Sequence, residues 1–172
     1  MLKKFALFAA LTIIFSASQC FAKTAAPVFD KDEKFFVAAF NFVAQKVTES
    51  NNDGIKFFGL DTQIYFQEKR EGEDYYTARS MPNDIGTVAI LVKRTPENLY
   101  KISFASKTEE DVSKALAIAL IVIGFNEQEM KSVTLQTAEE TVWCEKIQRD
   151  VMISNGTSDD AFVVSLQAFT RD

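Results

Sequence analysis

The sequence predicts an α+β fold of two layers: an antiparallel sheet of about six strands, a four-stranded meander plus a C-terminal hairpin, with helices packed on one face. Three observations predict it. Four strand-like runs follow one another between residues 62 and 105, separated only by short polar turns, and short turns between alternating strands require antiparallel neighbours. Two strongly apolar helical patterns flank them, Asp30 to Ser50 and Ser106 to Phe125. A last pair of strand-like runs, Val151 to Asn155 and Ala161 to Thr170, is joined through the turn residues Gly156 to Asp160.

The chain opens on Lys3 and Lys4, continues through the apolar run Phe5 to Phe15, and reaches small residues ending in Cys20-Phe21-Ala22. That is the layout of a signal peptide, with cleavage expected after Ala22 and a cut after Ser18 as the second choice. The apolar run is well short of the roughly 20 residues that span a bilayer. Gln19 also stands where a lipidation box needs a small side chain. Removing 22 of 172 residues leaves 150, a common size for one domain. Residues 23–29 are expected to be a flexible leader and 30–172 a single α+β domain, periplasmic or secreted and off the membrane after cleavage.

Within the domain, Asp30 and Glu33 have the spacing of a capping box at the start of the first helix. Phe35, Phe36, Ala39, Phe40, Phe42, Val43, Ala44 and Val47 fill more than half its circumference, so sheet and a second helix should cover it. The helix should stop at Asn51-Asn52-Asp53-Gly54, where glycine can turn left-handed. In the meander, Ile64 and Phe66 share one side of Thr62 to Lys69, and Gln63, Tyr65 and Gln67 the other. Val88, Ile90 and Val92 share a face of Thr87 to Arg94, as do Tyr100, Ile102 and Phe104 on the next run. Ser106-Lys107-Thr108-Glu109 reads as a capping box for a central buried helix over Ala115 to Phe125. Asn126 to Gln136 also reads as helical, and Thr137 to Glu140 as a box opening another helix through Trp143.

What chemistry is absent constrains function more than what is present. With no histidine, Ser-His-Asp and Cys-His machinery is excluded and a zinc hydrolase strongly disfavoured. No Gly-rich phosphate cradle occurs, and Glu49 to Gly54 mimics a calcium loop only until its twelfth position, Leu60, which has no carboxylate. No cofactor is expected. Loss of Lys3 and Lys4 takes 19 basic residues to 17 against 24 acidic ones, a net charge of −7, which disfavours nucleic acid and anionic membrane. Once Cys20 leaves with the signal, Cys144 has no intramolecular partner. Flanked by Glu139, Glu140 and Glu145, it reads as a packed thiol rather than a nucleophile.

Two function classes survive. The preferred one is a non-catalytic protein-binding module, of inhibitor, immunity or envelope-chaperone type, recognising a protein partner through the wet face of the meander. Tyr65, Gln67, Arg79, Lys93 and Lys101 are its candidate binding residues, with Tyr75 or Tyr76 joining according to register. The alternative is a periplasmic hydrolase using a carboxylate pair. Every acidic cluster also has a structural explanation, since Glu109 to Asp111 and Glu139-Glu140 fall in predicted helix first turns and Asp159-Asp160 in a predicted hairpin turn.

Overall fold

The computed structural model describes residues 24–52, 65–71, 75–81 and 87–171. The expected signal peptide with its cleavage site, and the helix stop at Gly54, lie outside the described residues. The elements are β1 (Ala25–Ala26), α1 (Glu33–Asn52), β2 (Tyr65–Glu71), β3 (Tyr75–Met81), β4 (Val88–Thr95), β5 (Asn98–Ser106), α2 (Glu109–Ile123), α3 (Glu127–Ser132), β6 (Glu139–Cys144), β7 (Arg149–Ser158) and β8 (Ala161–Phe169). The described strands form one antiparallel sheet, ordered β2-β3-β4-β5-β8-β7-β6, with β1 pairing β8 at Ala168 and Phe169, beyond the stretch of β8 that pairs with β5. The fold is α+β, with helices packed against the sheet: α1 on α2 and β2, α2 on β5 and β8, α3 on β6.

Strand alternation decides what enters the core. Ala89 and Leu91 of β4, Ile102 and Phe104 of β5, Val164 and Leu166 of β8, and Val151 and Ile153 of β7 are all buried on the helix side. Phe36 and Phe40 of α1 and Ile118 of α2 close over them without exposure. The Phe40 and Phe104 rings lie 5.9 Å apart across the layer boundary. The central apolar helix is as expected, with Ala115, Leu116, Ile118, Ala119, Leu120 and Ile123 buried. It ends at Gly124, whose φ of 110° suits glycine and whose N–H donates to the Leu120 carbonyl at 3.0 Å. A Cβ there would sit 2.6 Å from Lys146 Cγ.

Several local expectations are corrected. Residues 24–29 are no loose leader: Ala25 and Ala26 add a short strand, and buried Val28 and Phe29 dock against Leu99. Their apolar side chains gain more from the core than from water. Asp32, not Asp30, caps α1, its Oδ1 accepting from the Phe35 N–H at 2.8 Å. Asp30 instead pairs with Arg149 at 2.9 Å. On α1 itself, Phe35 and Phe42 stay 56% and 60% exposed, so the core takes only part of the apolar stripe.

The cap of α2 is likewise Thr108 rather than Ser106. Its hydroxyl accepts from the Asp111 N–H at 3.2 Å, and its backbone is extended as a cap requires. Thr108→Ala should therefore lower stability by about 1 kcal/mol in urea unfolding. An unchanged midpoint would show that the cap is idle.

The largest correction lies at Trp143. The expected helix is strand β6, and the third helix is the single short α3, whose cap Asn126 receives the N–H groups of Gln128 and Glu129 at 2.9 and 3.0 Å. Thr137 and Glu140 do not form a capping box. The Thr137 hydroxyl donates to the Glu139 carbonyl, and the Glu140 carboxylate receives the N–H groups of Thr134 and Leu135. Cys144 is nonetheless fully buried, and burial pushes its thiol pKa up. The terminal hairpin is tighter than expected: β7 runs on through Gly156, leaving only Asp159 and Asp160 in the turn, both at positive φ.

Candidate functional site

Residues paired across an antiparallel ladder lie on the same face, so the registers sort the candidate binding residues. Gln67 pairs with Arg79, Arg79 with Val88, and Val88 with Ala105. Tyr65 lies two positions before Gln67, Tyr75 pairs with Val92, and Val92 with Lys101. These are all register positions of the face opposite the core, and of the two tyrosines the register selects Tyr75. Tyr76 pairs with Leu91, a core position.

Lys93 does not belong with them. It follows Ala89 and Leu91 on the helix side, where its Nζ lies 3.2 Å from Glu33 Oε1. The two side chains are only 11% and 5% exposed, so the pair is part of the α1–β4 interface. The phase was lost in the run Val88-Ala89-Ile90-Leu91-Val92, which is apolar on both faces and hides which side is buried. Ile90, placed beside Val88 and Val92, is accordingly on the outer face and 38% exposed.

Among the described residues, no helix covers that outer face. One row across it is Val92, Lys101, Gln167, Met152 and Thr141, and the next is Ile90, Ser103, Ser165, Ser154 and Glu139. The Ser103 and Ser165 hydroxyls lie 2.8 Å apart and satisfy one another at the centre of the sheet. Small serines thus floor the middle row while longer polar and apolar side chains stand beside it.

At the β6 end of this face, sequence reasoning missed a cluster. Arg171 Nη2 lies 2.6 Å from Asp150 Oδ1, and the guanidinium sits 4.0 Å from the centre of the Trp143 ring. Bonding to Asp150 raises the arginine pKa further. The signal was available in the alternation of Glu139, Thr141 and Trp143, which puts the indole on the strand's outer phase.

Carboxylates do meet in one place. A groove of about 440 Å³ beside β6 is lined by Glu129 and Glu140 with Gln128, Ser132, Thr141, Val142 and Trp143. Both acids already have structural work. Glu129 receives the N–H groups of Asn126 and Glu145 at 2.7 and 2.8 Å, and Glu140 holds the chain at Thr134 and Leu135. A second, mostly apolar cavity of about 210 Å³ lies among Val112, Leu135, Phe162 and Val164, with Glu109 at its wall. No group of three His, Cys, Asp or Glu among the described residues is arranged to hold a metal. No described helix is long and apolar enough to cross a membrane. No family model, curated protein or solved structure matches the chain.

Proposed function

We propose that the chain is a non-catalytic protein-binding module, exported by its N-terminal segment to the periplasm or beyond, and that the uncovered sheet face is its recognition surface. One observation carries the reading. The helices gather on one side, leaving a broad face that combines Lys101, Gln167, partly exposed Ile90 and the Trp143–Arg171 stack. Aromatic, arginine and apolar groups around a small-residue floor give shape and anchoring contacts of the kind that dominate protein interfaces. Tyr65, Gln67 and Arg79 lie at register positions that extend the same face through β2 and β3.

Pull-down from an envelope extract tests it, comparing the wild type with a Tyr65→Ala, Lys101→Glu double variant. A partner retained by the first and lost by the second is expected, and equal retention would contradict the face. Export has its own measurement. Intact mass of protein from the periplasmic fraction should correspond to a chain beginning at Lys23, whereas a product still carrying residues 1–22 would contradict cleavage.

A further inference from the structure

The sheet ends at β6, and its outer edge is built unlike the rest of the fold. The Asn155 N–H donates to the Ala138 carbonyl at 2.9 Å, so Ala138 faces β7. Alternation along an antiparallel pair then turns the main-chain groups of Glu139, Thr141 and Trp143 away from β7, toward the open edge. Two contacts fix that phase independently. The Glu139 carbonyl accepts the Thr137 hydroxyl at 2.8 Å, and the next outward N–H, that of Glu145, donates to Glu129 Oε1 at 2.8 Å. Both ends of the edge are therefore capped from within the chain. Between them, no described residue caps the N–H and C=O groups of Thr141 and Trp143.

The groove beside β6 lies along this stretch. Its wall includes four consecutive strand residues, Glu140 to Trp143, from both phases of the pleat, so it follows the strand's edge rather than either face. The opposite wall is α3, through Gln128, Glu129 and Ser132. A sheet edge beside a helix, with outward main-chain donors and acceptors between, accepts an extended chain as an added strand. The lining carries two carboxylates and no cation. Glu127 on the same helix is matched by Lys131, and Arg171 by Asp150. The surplus charge of the groove is negative, and the strand that complements it is basic.

We propose that the edge of β6 binds an extended, lysine- or arginine-bearing peptide segment by strand addition, pairing its main chain with Thr141 and Trp143 under α3. This site uses the outward main chain of β6 where the sheet face uses side chains, so the two share Thr141 and Trp143 yet either can fail without the other. Fluorescence anisotropy with the full chain tests it, using a labelled, end-capped Val-Lys-Val-Lys-Val-Lys peptide. Matched peptides carry glutamate for lysine, or a central proline that removes a main-chain donor.

Thr141→Pro deletes one outward N–H while sparing the ladder to β7. The lysine peptide should bind, weaken as salt is added, and lose about tenfold in affinity on Thr141→Pro or on peptide proline. Amide exchange gives the second readout without a variant: the Thr141 and Trp143 N–H groups should exchange fast in the free chain and become protected when the peptide is added. No binding, equal binding of the glutamate peptide, or unprotected amides at saturation would overturn the proposal. A dimer in gel filtration that Thr141→Pro dissolves would overturn it too, by showing that the edge pairs with a second copy of the chain.

Discussion

Phe40→Ala is expected to cost about 3–5 kcal/mol of stability, and Ile118→Ala about 2–5 kcal/mol. Phe40 is fully buried in the middle of the aromatic chain that runs from Phe36, at 6.2 Å between ring centres, to Phe104 on β5. Ile118 is fully buried in α2, which packs on α1, β5 and β8. Each truncation removes apolar contact at the boundary of helices and sheet and leaves a void that close-packed neighbours only partly collapse to fill. Urea unfolding of the purified variants measures both losses. Changes below about 0.5 kcal/mol at the two sites would mean they behave as surface positions and would refute the packing of α1 and α2 on the sheet.

Lys93→Met is expected to cost about 3–5 kcal/mol, more than a lysine on an open strand would. Glu33 is buried at the start of α1, its Oε1 meets the ammonium, and its Oε2 has no hydrogen-bond partner. Removing the lysine leaves a carboxylate without that cation in a buried interface, and desolvation of the charge outweighs the methionine's better packing. The double variant Glu33→Leu, Lys93→Met removes both charges and should recover most of the loss, because two apolar groups of similar volume suit the same space. A single variant as stable as the wild type would show that Lys93 reaches solvent, as a residue of the outer face would.

That lysine also shows where sequence reasoning stopped. Strand existence is legible wherever polar and apolar residues alternate, and in β5 the alternation puts Ile102 and Phe104 inward, where the structure buries them. In β4 five apolar residues follow one another, so period two is present in the structure but invisible in the residue types. The residue types alone leave the phase undetermined, and with it the side on which Lys93 lies. At β6 the failure had another source. Thr137 and Glu140 have capping-box spacing, and that local signal outweighed the alternation of Glu139, Thr141 and Trp143 beside it.

Chain order alone could not show that Arg171 returns to Asp150 and Trp143, because that contact depends on β8 lying beside β7. The helix caps shifted by two residues for a simpler reason: Asp30 and Asp32, like Ser106 and Thr108, are both competent caps, and packing chooses between them. What the sequence carried well was the consistent core set of Phe36, Phe40, Ile118 and Ile102, whose hydrophobic periodicity and burial agree.

The recognition face can be tested without knowing its partner. A photo-crosslinking amino acid placed at position 101 in living cells should yield a discrete higher-mass adduct with another protein. The same group at position 46, on the exposed side of α1 where the lysine side chain is 57% accessible, should yield none. An adduct from position 46 with none from position 101 would contradict the sheet face as the recognition surface.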